Sequence, residues 1–320
     1  MIVRFILHHL QLLDVLLLLI PLLIMIIGLW TGRRRHRLGI VIALLGLISG
    51  LGWAYGRYVG SQQLTVRQLE FASPDLPTAF DGYRIVHFSD VHVGSMTDDY
   101  LSRAIDSINA QHTDLIVFTG DLQNVSVNEV YNHQEALSRL KAPDGVMAVL
   151  GNHDYAMYMD QSDPFAVAEQ LGHTDAIYSD MRWQLLRNEH RTLQRDSDRI
   201  FIAGMENDGE GRFPQLGNHN QALFGISRNE FVIMLEHDPS SWRRRILPHT
   251  HCQLTLSGHT HGGQFNLLGW SPARLRYREY GGLYHAGDRA LYVTRGLGGA
   301  VPFRLWCPGE ITVITLRVKQ

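Results

Sequence analysis

Cysteine is nearly absent, with two residues in 320. That excludes a disulfide framework and a four-cysteine zinc site. Charge is sparse too. Asp, Glu, Lys and Arg together make 19% of the chain, below the roughly 25% usual for soluble domains. Neither sign dominates, since the formal net charge is −2, so no nucleic-acid partner is expected. Internal repeats are lacking, and the only low-complexity tract is a leucine-rich N-terminal stretch. Apolar residues, by contrast, make 45% of the chain, which excludes disorder throughout. Histidine is abundant, at 17 residues.

The missing charge is unevenly distributed. Residues 1–60 hold six arginines (Arg4, Arg33, Arg34, Arg35, Arg37, Arg57) and one acid, Asp14. Of the 29 basic and 31 acidic residues, 23 and 30 therefore fall in 61–320, a net of −7 there. Val15–Trp30 and Leu38–Gly56 are uncharged runs of 16 and 19 residues, against the ~20 that a membrane-spanning helix needs. The second run suffices alone. The first does so only with Gly32 or the stretch around Asp14, and otherwise reads as an interfacial or core helix. The loop between them, Thr31 to Arg37, is arginine-rich and belongs on the cytoplasmic side by the positive-inside rule. The expectation is an anchor over 1–60, most simply a transmembrane helical hairpin that places the following domain on the non-cytoplasmic side of the cell membrane. The arginines before an apolar run also resemble a twin-arginine export signal, which sends the domain across the membrane as well. Residues 61–79, closed by Ser73-Pro74-Asp75-Leu76-Pro77, read as a linker. The soluble domain is expected over 80–320.

From Tyr83 onward apolar runs alternate with helical patterns: strand Tyr83–Ser89, helix Asp98–Ala110, strand Leu115–Thr119, helix about Val127–Leu140, strand Val146–Leu150. Strands buried beneath helices follow from that pattern. A second series (Ile200–Ala203, Phe231–Leu235, Leu254–Leu256, Leu291–Thr294, Ile311–Val318) has few long helices between its members and implies a second sheet. Each polar cluster directly follows an apolar strand: Asp90-Val91-His92, Gly120-Asp121, Gly151-Asn152-His153-Asp154, Glu236-His237-Asp238-Pro239 and Gly258-His259-Thr260-His261-Gly262-Gly263. The crevice beyond strand carboxyl ends is where open sheets bind ligands. Carboxylates, imidazoles and an asparagine carbonyl suit Mn, Fe or Zn. Taken singly, an Asp-x-His or a Gly-Asp is a chance match or a turn. All five in this order, each behind a strand, form a pattern that chance does not supply.

Asp-x-His, Gly-Asp, Gly-Asn-His-Asp, His and Gly-His-x-His together resemble the signature of the calcineurin-like metallophosphoesterases, over residues about 80–320. The stretches 80–94, 256–264 and 294–298 are similar to the YkuE/YaeI-type branch, whose members are often exported or membrane-anchored. The resemblance implies an α/β fold, a four-layer α/β/β/α sandwich, with two divalent metal ions. Asp90, His92 and His261 would hold one ion, Asn152, His237 and His259 the other, and Asp121 would bridge them. The pair would make hydroxide available from a shared water. His153 would donate a proton to the leaving oxygen or stabilise its charge, and Asp154 would orient His153 by a carboxylate–imidazole hydrogen bond. Many relatives carry an acid just after Gly-Asp where this chain has Gln123-Asn124, so substrate contacts there differ. The implied activity is hydrolysis of a phosphodiester or pyrophosphate. With the bilayer as partner, a phospholipid or lipid-linked sugar phosphate becomes a reasonable substrate. A phosphodiesterase for soluble substrates and a non-catalytic membrane protein are the alternatives.

Other residues carry less. His87 reads as a packed strand residue, His249 and His251 as solvated-loop residues or substrate contacts, and Gly296–Gly299 as a plain loop or a set of backbone amides for a phosphate. Trp242-Arg243-Arg244-Arg245 reads as a solvated basic face. Cys252 and Cys307 have the option of pairing in an oxidising compartment.

Overall fold

The computed structural model describes residues 10–31 and 36–319. The arginine-rich loop is mostly residues 32–35, so the orientation read from Arg33, Arg34 and Arg35 lies outside the described residues. Two helices lead the chain, α1 (Leu10–Thr31) and α2 (His36–Tyr58). They lie against each other through small residues. A Cβ added at Gly28 would sit 2.8 Å from the Ala43 Cα, and one at Gly46 would sit 2.7 Å from the Met25 amide. Close backbone approach of this kind is how apolar helices pair where water gives no drive. Among the described residues one helix, within Arg37–Gln62, is long and apolar enough to cross a membrane, at a mean hydropathy of 2.0. The apolar part of α1, Leu19–Trp30, is shorter.

The reading of 61–79 as a linker is corrected by the structure. A short 3-10 turn, Gly60–Gln62, leads directly into a ten-residue strand, β1 (Leu64–Ser73). Leu64, Val66, Leu69 and Phe71 of β1 face the domain core. Leu64 and Val66 serve the helix-side core while Leu69 and Phe71 serve the inter-sheet core, so the apolar residues change face midway and leave no period-2 pattern. No free connector separates the apolar helix from the domain.

Strands β2 (Arg84–Phe88), β3 (Leu115–Thr119), β4 (Val146–Val149) and β5 (Trp183–Leu185) follow. Between them lie α3 (Asp98–Asn109), the single turns α4 (Asn128–Tyr131) and α5 (Gln134–Leu137), and α6 (Pro164–Asp180). Helix α3 starts where Thr97 accepts the Tyr100 amide, with Asp98 and Asp99 in its first turn. Both features favour a helix N-terminus. The expected helix over 127–140 is interrupted at His133 and exists as two turns. The remaining strands are β6 (Glu189–Arg195), β7 (Asp198–Gly204), β8 (Val232–Leu235), β9 (Leu254–Ser257), β10 (Gly282–Ala286), β11 (Arg289–Val293) and β12 (Gly309–Val318).

Two mixed six-stranded sheets result, in the orders β1-β12-β2-β3-β4-β5 and β10-β11-β9-β8-β7-β6. Strand β12, expected in the second sheet, lies in the first, parallel to β1 and antiparallel to β2. Alternate residues of each strand serve two cores, as the pleat requires. Ile85, Val117 and Val149 meet Ile202, Ile233 and Leu256 between the sheets. Val86, Phe118 and Ala148 face Leu101, Ile105 and Ile177 of α3 and α6. Val232, Met234 and Val293 meet Trp242, Ile246 and Cys252 on the far side. The layers are thus helix, sheet, sheet and a thin helical cover, which is built from the turns Trp242–Ile246 and Leu247–His249. Strands β2 to β4 run parallel, as do β7 to β9, so their carboxyl ends open at one edge.

Candidate metal centre

Every predicted site residue comes off one of those carboxyl ends, and the structure brings Asp90, His92, Asp121, His237, His259 and His261 into two groups. The nitrogens of His92 and His261 and the carboxylate oxygens of Asp90 and Asp121 offer ligand atoms within 4.8 Å of one another. Asp121, His237 and His259 form a second such group. One oxygen, Asp121 Oδ2, faces both: it lies 3.6 Å from His92 Nε2 and 3.2 Å from His237 Nε2. Asp121 Oδ1 is taken by the His153 amide at 2.8 Å. His261 Nε2 stands 3.5 Å from Asp90 Oδ1, and His259 Nδ1 stands 3.2 Å from His237 Nε2.

The backbone is bent to achieve this. Asp90, His92, Asp121, His259 and His261 all have φ between 50° and 71°, a left-handed region that costs non-glycine residues energy and clusters at functional sites. Gly120 has φ 90° and lies so close to Gly151 that an added Cβ would stand 2.6 Å from the Gly151 Cα. The Asp121 and Asn152 loops meet at that contact. The loops are also stitched together, since the Asp90 amide donates to the Gly120 carbonyl and the Gly258 amide to the His237 carbonyl. The His259 amide donates to both Asp90 oxygens at 3.0 Å.

Electrostatics favour cations. Burial pushes His259 and His261 down to about 4, and burial, followed by neighbouring His153, holds His92 well below its ordinary value. These rings are therefore neutral near pH 7, with lone pairs available. Burial works against a charged Asp121 and a charged His237, yet each favours the other: Asp121 stays well below the usual carboxylate range and His237 rises to about 10. His237 Nδ1 donates to the Thr119 carbonyl at 2.6 Å, so Nε2 is the nitrogen turned toward Asp121, and a bound cation would take the place of its proton. Both His92 ring nitrogens, His261 Nδ1 and the Asn152 side-chain oxygen are buried without a hydrogen-bond partner. Orphaned buried acceptors are costly, and this donor set of imidazole, carboxylate and amide oxygen fits divalent cations.

Two expectations change. Asp154 does not orient His153 by its carboxylate. Its oxygens accept the amides of Asp121 (2.8 Å), Gly151 (2.9 Å) and Leu122 (3.0 Å), pinning the two loops together. Burial and the Asp121 carboxylate push Asp154 up to about 7. The His153 ring is held instead by the Asn124 carbonyl, to which Nδ1 donates at 2.6 Å. Asn124 is thus used through its main chain, which a sequence does not advertise. Tyr277 is the second residue that motif reading passes over. Its hydroxyl lies 2.7 Å from His259 Nε2, but it sits in a segment with no recognisable spacing to the motifs. Elsewhere, His87 is buried as expected, with Nε2 2.8 Å from the Thr119 hydroxyl. The arginine run is not a free solvated face, since Arg243 pairs with Glu279 at 2.6 Å and Arg244 with Asp208 at 3.1 Å. Cys252 and Cys307 are both buried and unpaired.

Residues 83–263 match the calcineurin-like phosphoesterase family. The chain belongs to that family and is a metallophosphoesterase, a hydrolase of phosphoric ester or anhydride bonds. Its relatives include the metallophosphoesterase YkuE of Bacillus subtilis, 33% identical over 306 residues that cover 89% of this chain and 97% of that one. A transmembrane protein with metallophosphoesterase domain from Danio rerio is 30% identical over 287 residues, 87% of this chain and 62% of the longer fish protein. The UDP-2,3-diacylglucosamine pyrophosphatase LpxG of Chlamydia muridarum is 26% identical over 330 residues, 86% and 97% of the two chains.

Proposed function

We propose that this protein uses two divalent ions (Mn, Fe or Zn) to hydrolyse a phosphodiester or pyrophosphate bond in a phospholipid or lipid-linked sugar phosphate at the membrane surface. The observation that carries the dimetal reading is the single Asp121 oxygen facing His92 on one side and His237 on the other. Asp90, His92 and His261 hold one ion, Asn152, His237 and His259 hold the second, and Asp121 bridges. When bound, such a pair supplies a nucleophile from water at neutral pH and offsets phosphate charge. The protein's own groups do the rest. His153 donates Nδ1–H to the Asn124 carbonyl, so the ring gives a proton from Nε2 to the leaving oxygen only in its doubly protonated form. Asp154 fixes the Asp121 and Gly151 backbone, and through it the bridging carboxylate.

The membrane part of the reading is supported by the apolar α2, by the naming of the fish relative as transmembrane and by the diacylated sugar nucleotide in the name of the chlamydial relative. A spanning hairpin with its arginine loop in the cytoplasm places the site on the non-cytoplasmic side. The test is a screen of full-length protein with Mn²⁺ against membrane lipids, lipid-linked sugar phosphates and soluble nucleotides. Release of phosphate or phosphomonoester from a lipid-linked compound is expected. Turnover of soluble nucleotides alone would defeat the lipid assignment.

A further inference from the structure

The site's rim carries an apolar, basic lip. After His261 the chain runs through Phe265–Arg278, where Leu268 is 99% exposed and Leu275 81% exposed. The neighbouring Val301–Trp306 segment adds Trp306, 54% exposed. The two segments form one surface. The Asn266 amide donates to the Leu305 carbonyl, the Leu305 amide to the Gln264 carbonyl, and Phe265 packs at 6.2 Å on Trp270 and 6.3 Å on Trp306. Side chains this apolar standing in water as a contiguous group mark an interaction surface.

What covers it follows from its neighbours. The Arg304 amide donates to the Gly56 carbonyl of α2 at 2.9 Å, and a Cβ on Gly56 would stand 2.8 Å from the Phe303 ring. Leu305 lies against Gly52. The lip is therefore continuous with the end of the helix that is apolar enough to cross a membrane. Residues 265–278 contain Arg274, Arg276 and Arg278 and no acid, and all three arginines are exposed. Tryptophan and leucine beside arginine are the composition that settles at a headgroup boundary, where an anionic lipid surface attracts the basic residues. The lip also reaches the site, since Ser271 donates to the Gly262 carbonyl and Tyr277 touches His259.

We infer that Phe265–Arg278 and Val301–Trp306 form a second membrane contact, seated in an anionic lipid surface, which holds the mouth of the metal centre against the bilayer so that substrate enters from the leaflet. This rests on the anchor reading given above. With α2 joined to β1 by one short turn, the fold brings the lip to the bilayer, and its arginines set how far it seats in an anionic surface.

The test uses full-length protein reconstituted in phosphatidylcholine vesicles with and without phosphatidylglycerol. Single environment-sensitive fluorophores are placed on Leu45→Cys in α2, Leu268→Cys on the lip and Ser197→Cys in the turn between β6 and β7. That turn lies at the end of the sheet away from the site. Both native cysteines are buried and stay unlabelled. Spin-labelled lipid is expected to quench the probes at 45 and 268, and aqueous iodide only the probe at 197. Quenching at 268 is expected to fall several-fold without phosphatidylglycerol. A probe at 268 quenched by iodide alone, while 45 is quenched by lipid, would overturn the lip and leave the anchor standing. If lipid quenches neither 45 nor 268, the anchor reading fails and takes the lip with it. Shielding of 268 from both quenchers would show it covered by protein, such as a second copy, which also overturns the inference.

Discussion

Gly151→Ala adds one methyl group at the point where the two ligand-bearing loops meet. Gly151 has φ −99°, so the backbone tolerates alanine and the effect is one of space. The new Cβ would lie 2.5 Å from the Asp121 amide nitrogen and 2.7 Å from His237 Cε1, and closer still to Asp121 Oδ1. Ordinary contact begins near 3.4 Å, so the His237 ring must retreat by about 0.7 Å and the Asp121 amide by about 0.9 Å. Neither is the free end of a flexible side chain. The His237 ring is fixed by Thr119, and the Asp121 amide by Asp154. A misplacement near 1 Å costs about 100-fold in rate, and overpacking costs about 1–3 kcal/mol of stability. Gly172→Ala is the matched comparison. It lies in α6 with no atom within 4 Å of its added Cβ and should raise stability by up to about 1 kcal/mol. The assay is turnover of an aryl phosphodiester with Mn²⁺, with metal content by elemental analysis and thermal midpoint alongside. The expected result is a loss of about 100-fold or more with lowered metal content for Gly151→Ala, and unchanged turnover for Gly172→Ala. Two retained ions and turnover within a few-fold of the parent in Gly151→Ala would refute the packing argument.

Three further outcomes follow from the site. His153→Ala should lower turnover by about 10²–10⁴-fold while metal content survives, and loss of metal would show that His153 is a ligand. Tyr277→Phe removes the hydroxyl 2.7 Å from His259 Nε2 and should weaken binding of one ion by about 10–100-fold. An unchanged Mn²⁺ titration would exclude that support. Burial pushes Cys252 up to about 11, so near pH 7 its thiol is protonated, and both cysteines are enclosed. A thiol-specific dye should therefore leave the folded protein unlabelled and react with both cysteines after denaturation without reductant. No reaction after denaturation would reveal a disulfide.

The site was more legible in the sequence than the topology around it. Short motifs survive as contiguous residues behind strands, so the clustering of Asp90, His92, Asp121, His237, His259 and His261 is legible without knowing which strand pairs with which. Long-range pairing leaves no such local mark. Ile311–Val318 reads as a strand, but only the structure shows that it crosses back to lie between β1 and β2. Strand β1 switches its apolar face midway, with Leu64 and Val66 on the helix-side core and Leu69 and Phe71 on the inter-sheet core, so it carries no continuous alternation. Helix α6 begins with Asp163 accepting two amides and Pro164 in the first turn, a start signal followed by a weakly patterned face. The roles of Asp154 and Asn124 depend on where amides and carbonyls point. Side-chain identity does not encode that.

The central claim is a pair of ions sharing Asp121, and electron paramagnetic resonance of the Mn²⁺-loaded protein tests it most directly. Two ions per chain with an exchange-coupled dimanganese signal are predicted for the parent, and loss of both ions for Asp121→Asn. One ion per chain with the signal of isolated Mn²⁺, or a coupled pair that persists in Asp121→Asn, would contradict the account.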